Sequence, residues 1–162
     1  MVSRLLLLVA VVATIGCDQV TKRMASASLA GTSGRSYLAG TVRMTYAENA
    51  GGFLGMGDEL PPLARTVVFT GATGLMLVVM TVVAVRERLR GLTLLGVTLF
   101  VAGGASNWAD RVANGRVVDF LNVGIGPVRT GIFNVADVAL MAGAFMFLVT
   151  ELINYWRTHE PD

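Results

Sequence analysis

Cysteine and histidine occur once each in 162 residues, as Cys17 and His159. A lone cysteine excludes an internal disulfide and a cysteine-cluster metal site. A lone histidine, placed in the polar C-terminal tail, leaves nothing from which to build a His-based triad, an HExxH zinc site or a histidine proton relay. Charge is scarce as well: 15% of the residues are Asp, Glu, Lys or Arg, against roughly 25% in an average soluble domain. Net charge is only +2, and no basic run carries interleaved aromatics, so nucleic acid is not an expected partner. Of the thirteen Lys/Arg residues only Lys22 is a lysine. Any chemistry therefore falls to Asp/Glu, Ser/Thr, Tyr or Lys22, with no resident metal or cofactor expected.

Apolar residues fill the space that charge leaves. They make up 54% of the chain, and the mean hydropathy is +0.64. The length suits one domain, and the composition is that of a polytopic membrane protein. Four spans are expected, over about 5–24, 66–85, 91–109 and 133–154. The second, Thr66 to Val85, is twenty residues without a charge, the length that crosses a hydrocarbon core of about 30 Å. Gly71 and Gly74 within it permit close helix contact. Tyr155 and Trp156 at the end of the fourth suit an interfacial aromatic belt.

The first span admits two readings. Thr14-Ile-Gly-Cys17 after a short apolar core has the look of a lipoprotein leader, although Thr14 stands where a leucine-like residue is usual. A cleaved leader predicts a soluble or singly anchored remainder, whereas three more spans follow, so a retained helix is expected. Asp18 and Lys22, four apart, then share one of its faces. Residues 31–63 differ in character. Gly31 to Gly34 reads as a turn, Thr41 to Ala47 alternates with the period of a half-buried strand, and Asn49 to Gly57 is glycine-rich enough for a tight turn. A small sheet on the membrane surface is expected there.

Four spans put both termini and the Arg86–Arg90 turn on one side. Arg4, Arg86, Arg88, Arg90 and Arg157 crowd those short segments, so the positive-inside rule places the termini in the cytoplasm. Asp18, Asn49, Asp119 and Asp137 then converge at the outer face. The last two lie in Asn107–Asp137, a charged stretch between apolar spans, and ionisable residues at a membrane boundary call for named partners. In one reading each carboxylate pairs with Arg111, Arg116 or Arg129 and only shapes a loop. In the other the two carboxylates pair with each other and share a proton, one activating water while the other polarises a peptide carbonyl. Asn107 and Asn134 could then fix the carboxylates, and Arg111 the loop. Three rivals remain: an oxygen-only metal site, a Ser–Lys peptidase using Lys22 with Ser26 or Ser106, and a small proton-coupled transporter.

Asp18-Gln-Val-Thr-Lys22, Asn49-Ala-Gly51, Asn107-Trp-Ala-Asp-Arg-Val-Ala-Asn-Gly-Arg-Val-Val-Asp-Phe120 and Phe133-Asn-Val-Ala-Asp137 together resemble, in order and spacing, the motif set of lipoprotein signal peptidase, also called signal peptidase II. The resemblance spans nearly the whole chain. It implies a mostly helical membrane protein of four transmembrane helices with a small extracytoplasmic β-cradle, acting as an aspartic endopeptidase of the bacterial inner membrane. Such an enzyme cuts prolipoproteins before their diacylglyceryl-modified cysteine. It further implies that Asp119 and Asp137 are the catalytic pair, that Asp18, Lys22, Asn49, Gly51, Asn107, Arg111 and Asn134 support them, and that the chain works as a monomer among membrane lipids. Cyclic peptides such as globomycin are the inhibitors it implies. Two departures stand out: Ser106 where the family usually has glycine, and Asn49-Ala-Gly-Gly-Phe-Leu in place of the commoner Asn-x-Gly-Ala-Ala-Phe.

Overall fold

Four apolar helices and one small antiparallel sheet make up the computed structural model, which describes residues 4–52, 57 and 59–159. The helices are α1 (Arg4–Leu29), α2 (Pro62–Arg86), α3 (Gly91–Asn114) and α4 (Val135–Thr158), each long and apolar enough to cross a membrane. Large apolar side chains such as Leu5, Val12, Leu75, Val78, Phe145 and Leu148 lie exposed along their outer faces. In water such a surface would aggregate; against lipid tails it is the solvated surface. The chain is a membrane protein with a β-cradle, as its composition and motifs imply.

Helix ends extend past the apolar runs. The first helix continues to Leu29 rather than 24, because Ala25 and Leu29 bury themselves against Phe120 of the sheet. The third continues past Ala109 to Asn114, where Gly115 takes φ 71° and returns its N–H to the Arg111 carbonyl at 2.9 Å. That is a left-handed helix stop, which glycine adopts at little cost. A segment of π-helix, Thr66–Ala72, lies within α2.

Between helices, glycine sets the spacing. A Cβ on Gly143 of α4 would sit 2.5 Å from the Phe100 N–H nitrogen of α3, and one on Gly96 would sit 3.0 Å from the Gly143 carbonyl. Inside a membrane, where burial of apolar surface gives no drive for helices to associate, such backbone approach is what holds them together. The third helix is the most enclosed of the four, so it presents residues to all three neighbours.

The strands are β1 (Arg35–Tyr37), β2 (Val42–Asn49), β3 (Val117–Ile125) and β4 (Val128–Arg129), in sheet order β1-β2-β3-β4. Gly31 and Gly34, at φ 74° and 78°, make the expected turn out of α1. Strand β2 runs two residues past the expected Ala47, and its alternation is interrupted by a register shift between Met44 and Ala47. Such a bulge re-aims the residues beyond it. Strand β3 was not anticipated: the stretch from Val117 reads as a loop in sequence, yet it is the central partner of the sheet. Of the glycine-rich turn, residues 53–56 lie outside those described.

Candidate active site

Register brings the polar residues together. Asn49, the last residue of β2, pairs with Val117, and Ala47 pairs with Asp119. The Asn49 and Asp119 side chains therefore project from the same face as diagonal neighbours. Phe133 exchanges backbone hydrogen bonds with Leu121, both at 2.8 Å, which fastens the entry of α4 onto β3. The next residue, Asn134, is then the N-cap of α4 and stands beside Asp119.

A reciprocal capping box closes that helix end. The Asn134 side chain accepts the Asp137 N–H at 2.9 Å, and Asp137 Oδ2 accepts the Asn134 N–H at 3.1 Å. Two of the four otherwise orphaned N–H groups of the first turn are thereby met. A third, on Ala136, donates across the bundle to Asp18 Oδ1 of α1 at 2.9 Å. Asp18 thus caps α4 from a different helix, where a carboxylate is also favoured by the helix dipole.

The two carboxylates are reached by amides. Asp119 Oδ2 accepts from Asn49 Nδ2 at 2.8 Å and Oδ1 from Asn134 Nδ2 at 2.6 Å. Asp137 Oδ1 accepts from Asn107 Nδ2 at 2.8 Å. Asn134 Nδ2 also donates to Asn107 Oδ1 at 3.1 Å, so Asn134 and Asn107 bridge the pair. Both carboxylates are buried, Asp119 to 2% exposure and Asp137 to 7%. Burial, reinforced by the nearby Asp137 charge, pushes the Asp119 carboxyl up to about 6, against the Asn49 and Asn134 amides and the Lys22 charge. A carboxyl so raised holds a proton far more readily than an exposed aspartate near neutral pH.

Beneath the pair, Lys22 Nζ makes contacts of 2.6 Å to Asp18, 2.6 Å to Asp110 and 2.7 Å to Asn107 Oδ1. All three ammonium protons find acceptors, which is what makes a buried lysine tolerable. Arg111 donates through Nε and Nη2 to the Gly51 carbonyl, and the Gly51 N–H donates to Asn49 Oδ1 at 2.9 Å. The turn after β2 is thus tied to α3. All nine site residues expected from the sequence meet in this one assembly, on α1, β2, α3, β3 and α4.

Nearly the whole chain, residues 10–153, matches the profile of the family described as signal peptidase (SPase) II. The chain belongs to the signal peptidase II family. Among its relatives, the lipoprotein signal peptidase of Sphingopyxis alaskensis is 32% identical over 147 residues, covering 90% of this chain and 84% of the relative. That of Syntrophomonas wolfei is 31% identical over 139 residues, covering 85% and 86%. A bacterial membrane enzyme solved by the in meso method at 2.3 Å superposes with a TM-score of 0.80 at 25% identity, covering 96% of this chain and 93% of that one. A second, solved by the same method at 1.9 Å, shares the fold with a TM-score of 0.76 at 21% identity. Membership of the signal peptidase II family makes this chain a bacterial membrane protease that removes signal peptides from prolipoproteins.

Other readings of the same residues lose their footing in this peptidase. Among the described residues the salt bridges are Lys22–Asp18, Lys22–Asp110 and Arg116–Glu48, so neither Asp119 nor Asp137 is an arginine's ion-pair partner. Ser26 Oγ donates to the Lys22 carbonyl and Ser106 Oγ donates to Asp18, while Lys22 Nζ faces oxygens of Asp18, Asp110 and Asn107. Among the described residues there is no Ser–Lys contact of the kind a nucleophile requires. The first helix carries Cys17 on its exposed side and runs on through Asp18 and Lys22. Among the described residues, no three His, Cys, Asp or Glu side chains group as metal ligands. Two network members, Asp110 and Gln19, carry no role in the sequence reading, and Ser106 stands there only as a family departure and a candidate nucleophile. Asp110 accepts from both Lys22 and Gln19, and Ser106 bonds Asp18 at 2.8 Å and accepts from Gln19 at 3.2 Å. A signal existed: Asn107, Asp110 and Arg111 stand at helical spacings of three and four, one face of a single helix.

Proposed function

We propose that Asp119 and Asp137 are the catalytic dyad of an aspartic endopeptidase that cuts prolipoproteins immediately before the diacylglyceryl-modified cysteine. The observation that carries this reading is the sharing of Asn134 between two buried carboxylates, with an amide to Asp119 and a backbone N–H to Asp137. In the resting dyad one proton is held between the two groups. Asp119, raised toward neutrality by burial, keeps that proton and donates a hydrogen bond to the scissile carbonyl. Asp137, held as an acceptor by Asn107 and the Asn134 N–H, takes a proton from the attacking water. The tetrahedral intermediate then collapses as the departing cysteine nitrogen receives that proton, and the dyad returns to its single-proton state. Neither metal nor covalent nucleophile enters this cycle.

Asp18, Lys22, Asn49, Gly51, Asn107, Arg111 and Asn134 hold the dyad in this geometry. The arginines of the short segments, Arg4, Arg86, Arg88, Arg90 and Arg157, support cytoplasmic termini, and with them the sheet and dyad at the outer face of the inner membrane. The enzyme acts as a monomer among membrane lipids, and cyclic peptides of the globomycin kind would compete at the dyad. The test is cleavage of a diacylglyceryl-modified precursor by purified Asp119→Asn and Asp137→Asn proteins. Loss of turnover in both, with folding retained, is expected; near-normal turnover in either sinks the aspartyl mechanism. Because a transporter cannot hydrolyse a peptide bond, cleavage by the unmodified chain in detergent, with no ion gradient, also disposes of that rival.

A further inference from the structure

We propose that the groove between α2 and α3 seats one acyl chain of the substrate's diacylglyceryl group, an assignment that rests on the peptidase reading above. The groove encloses about 660 Å³ and is walled almost wholly by apolar atoms from Gly71, Gly74, Leu75, Val78, Val82 and Trp108. On the α2 side Gly71 leaves it open, since a Cβ there would meet nothing closer than 3.9 Å. Trp108 Nε1–H donates to the Thr70 carbonyl at 2.9 Å, which pins the indole across the top of the groove with its polar atom satisfied.

Three features select an acyl chain. First, the groove follows α2 from Thr70 to Val82, and twelve residues of helix rise about 18 Å. One leaflet of hydrocarbon is roughly 15 Å deep, half of a 30 Å core, so the groove accommodates one extended chain. Second, it opens at Thr70 into a polar pocket of about 420 Å³ lined by Arg65, Thr66 and Arg111. A polar pocket above an apolar slot matches in polarity a glyceryl ester group above a hydrocarbon tail. Third, the small-residue seam is not open to a helix. A Cβ on Gly74 would already lie 2.7 Å from Trp108 Nε1, so a signal-peptide helix cannot approach the backbone there as helix pairs do at small residues.

Position ties the groove to the reaction. Trp108 follows Asn107, whose amide donates to Asp137, so the mouth of the groove lies at the depth of the dyad. The polar pocket is lined by Arg111 and Ala50, the residue before Gly51, and Arg111 donates to the Gly51 carbonyl. A chain seated in the groove therefore holds its cysteine at the level of the two carboxylates. Bulk lipid is as apolar as the groove, so the gain lies in orientation and fit rather than in transfer from water.

Gly71 supplies the probe. A Cβ there would meet only the Thr66 carbonyl of its own helix, at 3.9 Å, so Gly71→Leu starts a side chain in open space on the groove wall. With a dipalmitoyl-type precursor, this variant is expected to raise KM on the order of tenfold, equivalent to 1.4 kcal/mol, with kcat retained. It should also lose the preference of the unmodified enzyme for long over short acyl chains. Val79→Phe alters a half-exposed lipid-facing position outside the groove and should leave KM unchanged. In the unmodified enzyme, a precursor with a photoreactive group at the end of one acyl chain should label the α2 segment around Val78 and Val82. Labelling of the outer face of α4 instead, an unaltered KM in Gly71→Leu, or an equal KM rise for lipidated and unlipidated precursors overturns the assignment. These outcomes leave the peptidase reading standing, whereas failure of the unmodified enzyme to cut any lipidated precursor removes that reading itself.

Discussion

Asp119→Asn separates what the carboxylate costs the fold from what it is proposed to do in catalysis. In the folded chain Asp119 titrates at about 6 rather than 3.8, chiefly because it is buried. An acid whose folded value is raised binds its proton more tightly in the native than in the unfolded state. Stability is then fullest at low pH and falls as pH rises between the two values, because the unfolded chain releases the proton first. The total span is about 2.2 units, or roughly 3 kcal/mol at 1.36 kcal/mol per unit, of which roughly 2 kcal/mol falls between pH 4 and 7. An asparagine cannot titrate, so this part of the pH dependence vanishes in the variant. Its amide does place an N–H₂ group against Asn49 Nδ2 or Asn134 Nδ2, at a cost of about 1–3 kcal/mol for the donor left facing a donor. That cost is the same at every pH and cancels when slopes are compared. Thermal unfolding in detergent, at about 2–4 °C per kcal/mol for a chain of this size, should show the wild-type midpoint falling by roughly 4–8 °C more than the variant's from pH 4 to 7. Cleavage by the variant should drop by at least about 10²–10⁴, the usual worth of a positioned acid or base. Parallel slopes in the two proteins would falsify the claim that burial raises this carboxyl.

Three further outcomes follow from the same geometry. Lys22→Met removes the cation shared by Asp18 and Asp110 and leaves both acids uncompensated in the bundle; about 3–5 kcal/mol of stability should be lost, read as a lower thermal midpoint. Asn49→Ala deletes a hydrogen bond that favours the ionised form of Asp119, so the upper limb of the kcat/KM profile, expected near pH 6 in the unmodified enzyme, should move to higher pH. Asn134→Asp keeps a good N-cap for α4 but turns the amide donor toward Asp119 into an acceptor. Its thermal midpoint below pH 4 should stay near that of the unmodified protein while cleavage is lost, and unimpaired cleavage would show that the bridge is dispensable.

Much of this was legible before any coordinates. The spans followed from uncharged runs, and the site residues from four motif blocks that the topology brings to one surface. The strand carrying Asp119 was not legible, because its first half, Val117 to Phe120, is buried or half-buried on both faces while its second half runs out to an exposed Ile125. A strand buried in that way loses clean alternation, and its signal sinks into that of any short apolar run. The bulge between Met44 and Ala47 hid for a related reason: it breaks the period of two within the segment that shows it. Asp110 carries no local sign of its role. Its role depends on Lys22, 88 positions away in sequence, and no local pattern carries a partner at that distance.

Phe133 to Asp137 shows how closely folding and chemistry are bound together in this chain. Phe133 fastens the segment to β3, Asn134 caps α4, and Asp137 completes the capping box. The same three residues fix where the second carboxylate stands relative to the first. Asn134 uses both ends of its amide: Oδ1 takes the Asp137 N–H, and Nδ2 reaches Asp119 and Asn107. Serine or aspartate would cap the helix about as well, but serine lacks the reach and aspartate the donor. Helix formation alone therefore leaves several residues open at this position, and only the bridge between the carboxylates demands asparagine. The same logic applies to Asp18. A helix needs no partner from another span to satisfy its third N–H, since water or a local side chain suffices. Taking that bond from α1, within a lattice that also includes Ser106 and Lys22, locks the start of α4 to two other helices one residue before Asp137. In the proposed reaction this removes the freedom by which the dyad could drift from the separation at which two carboxylates share a proton.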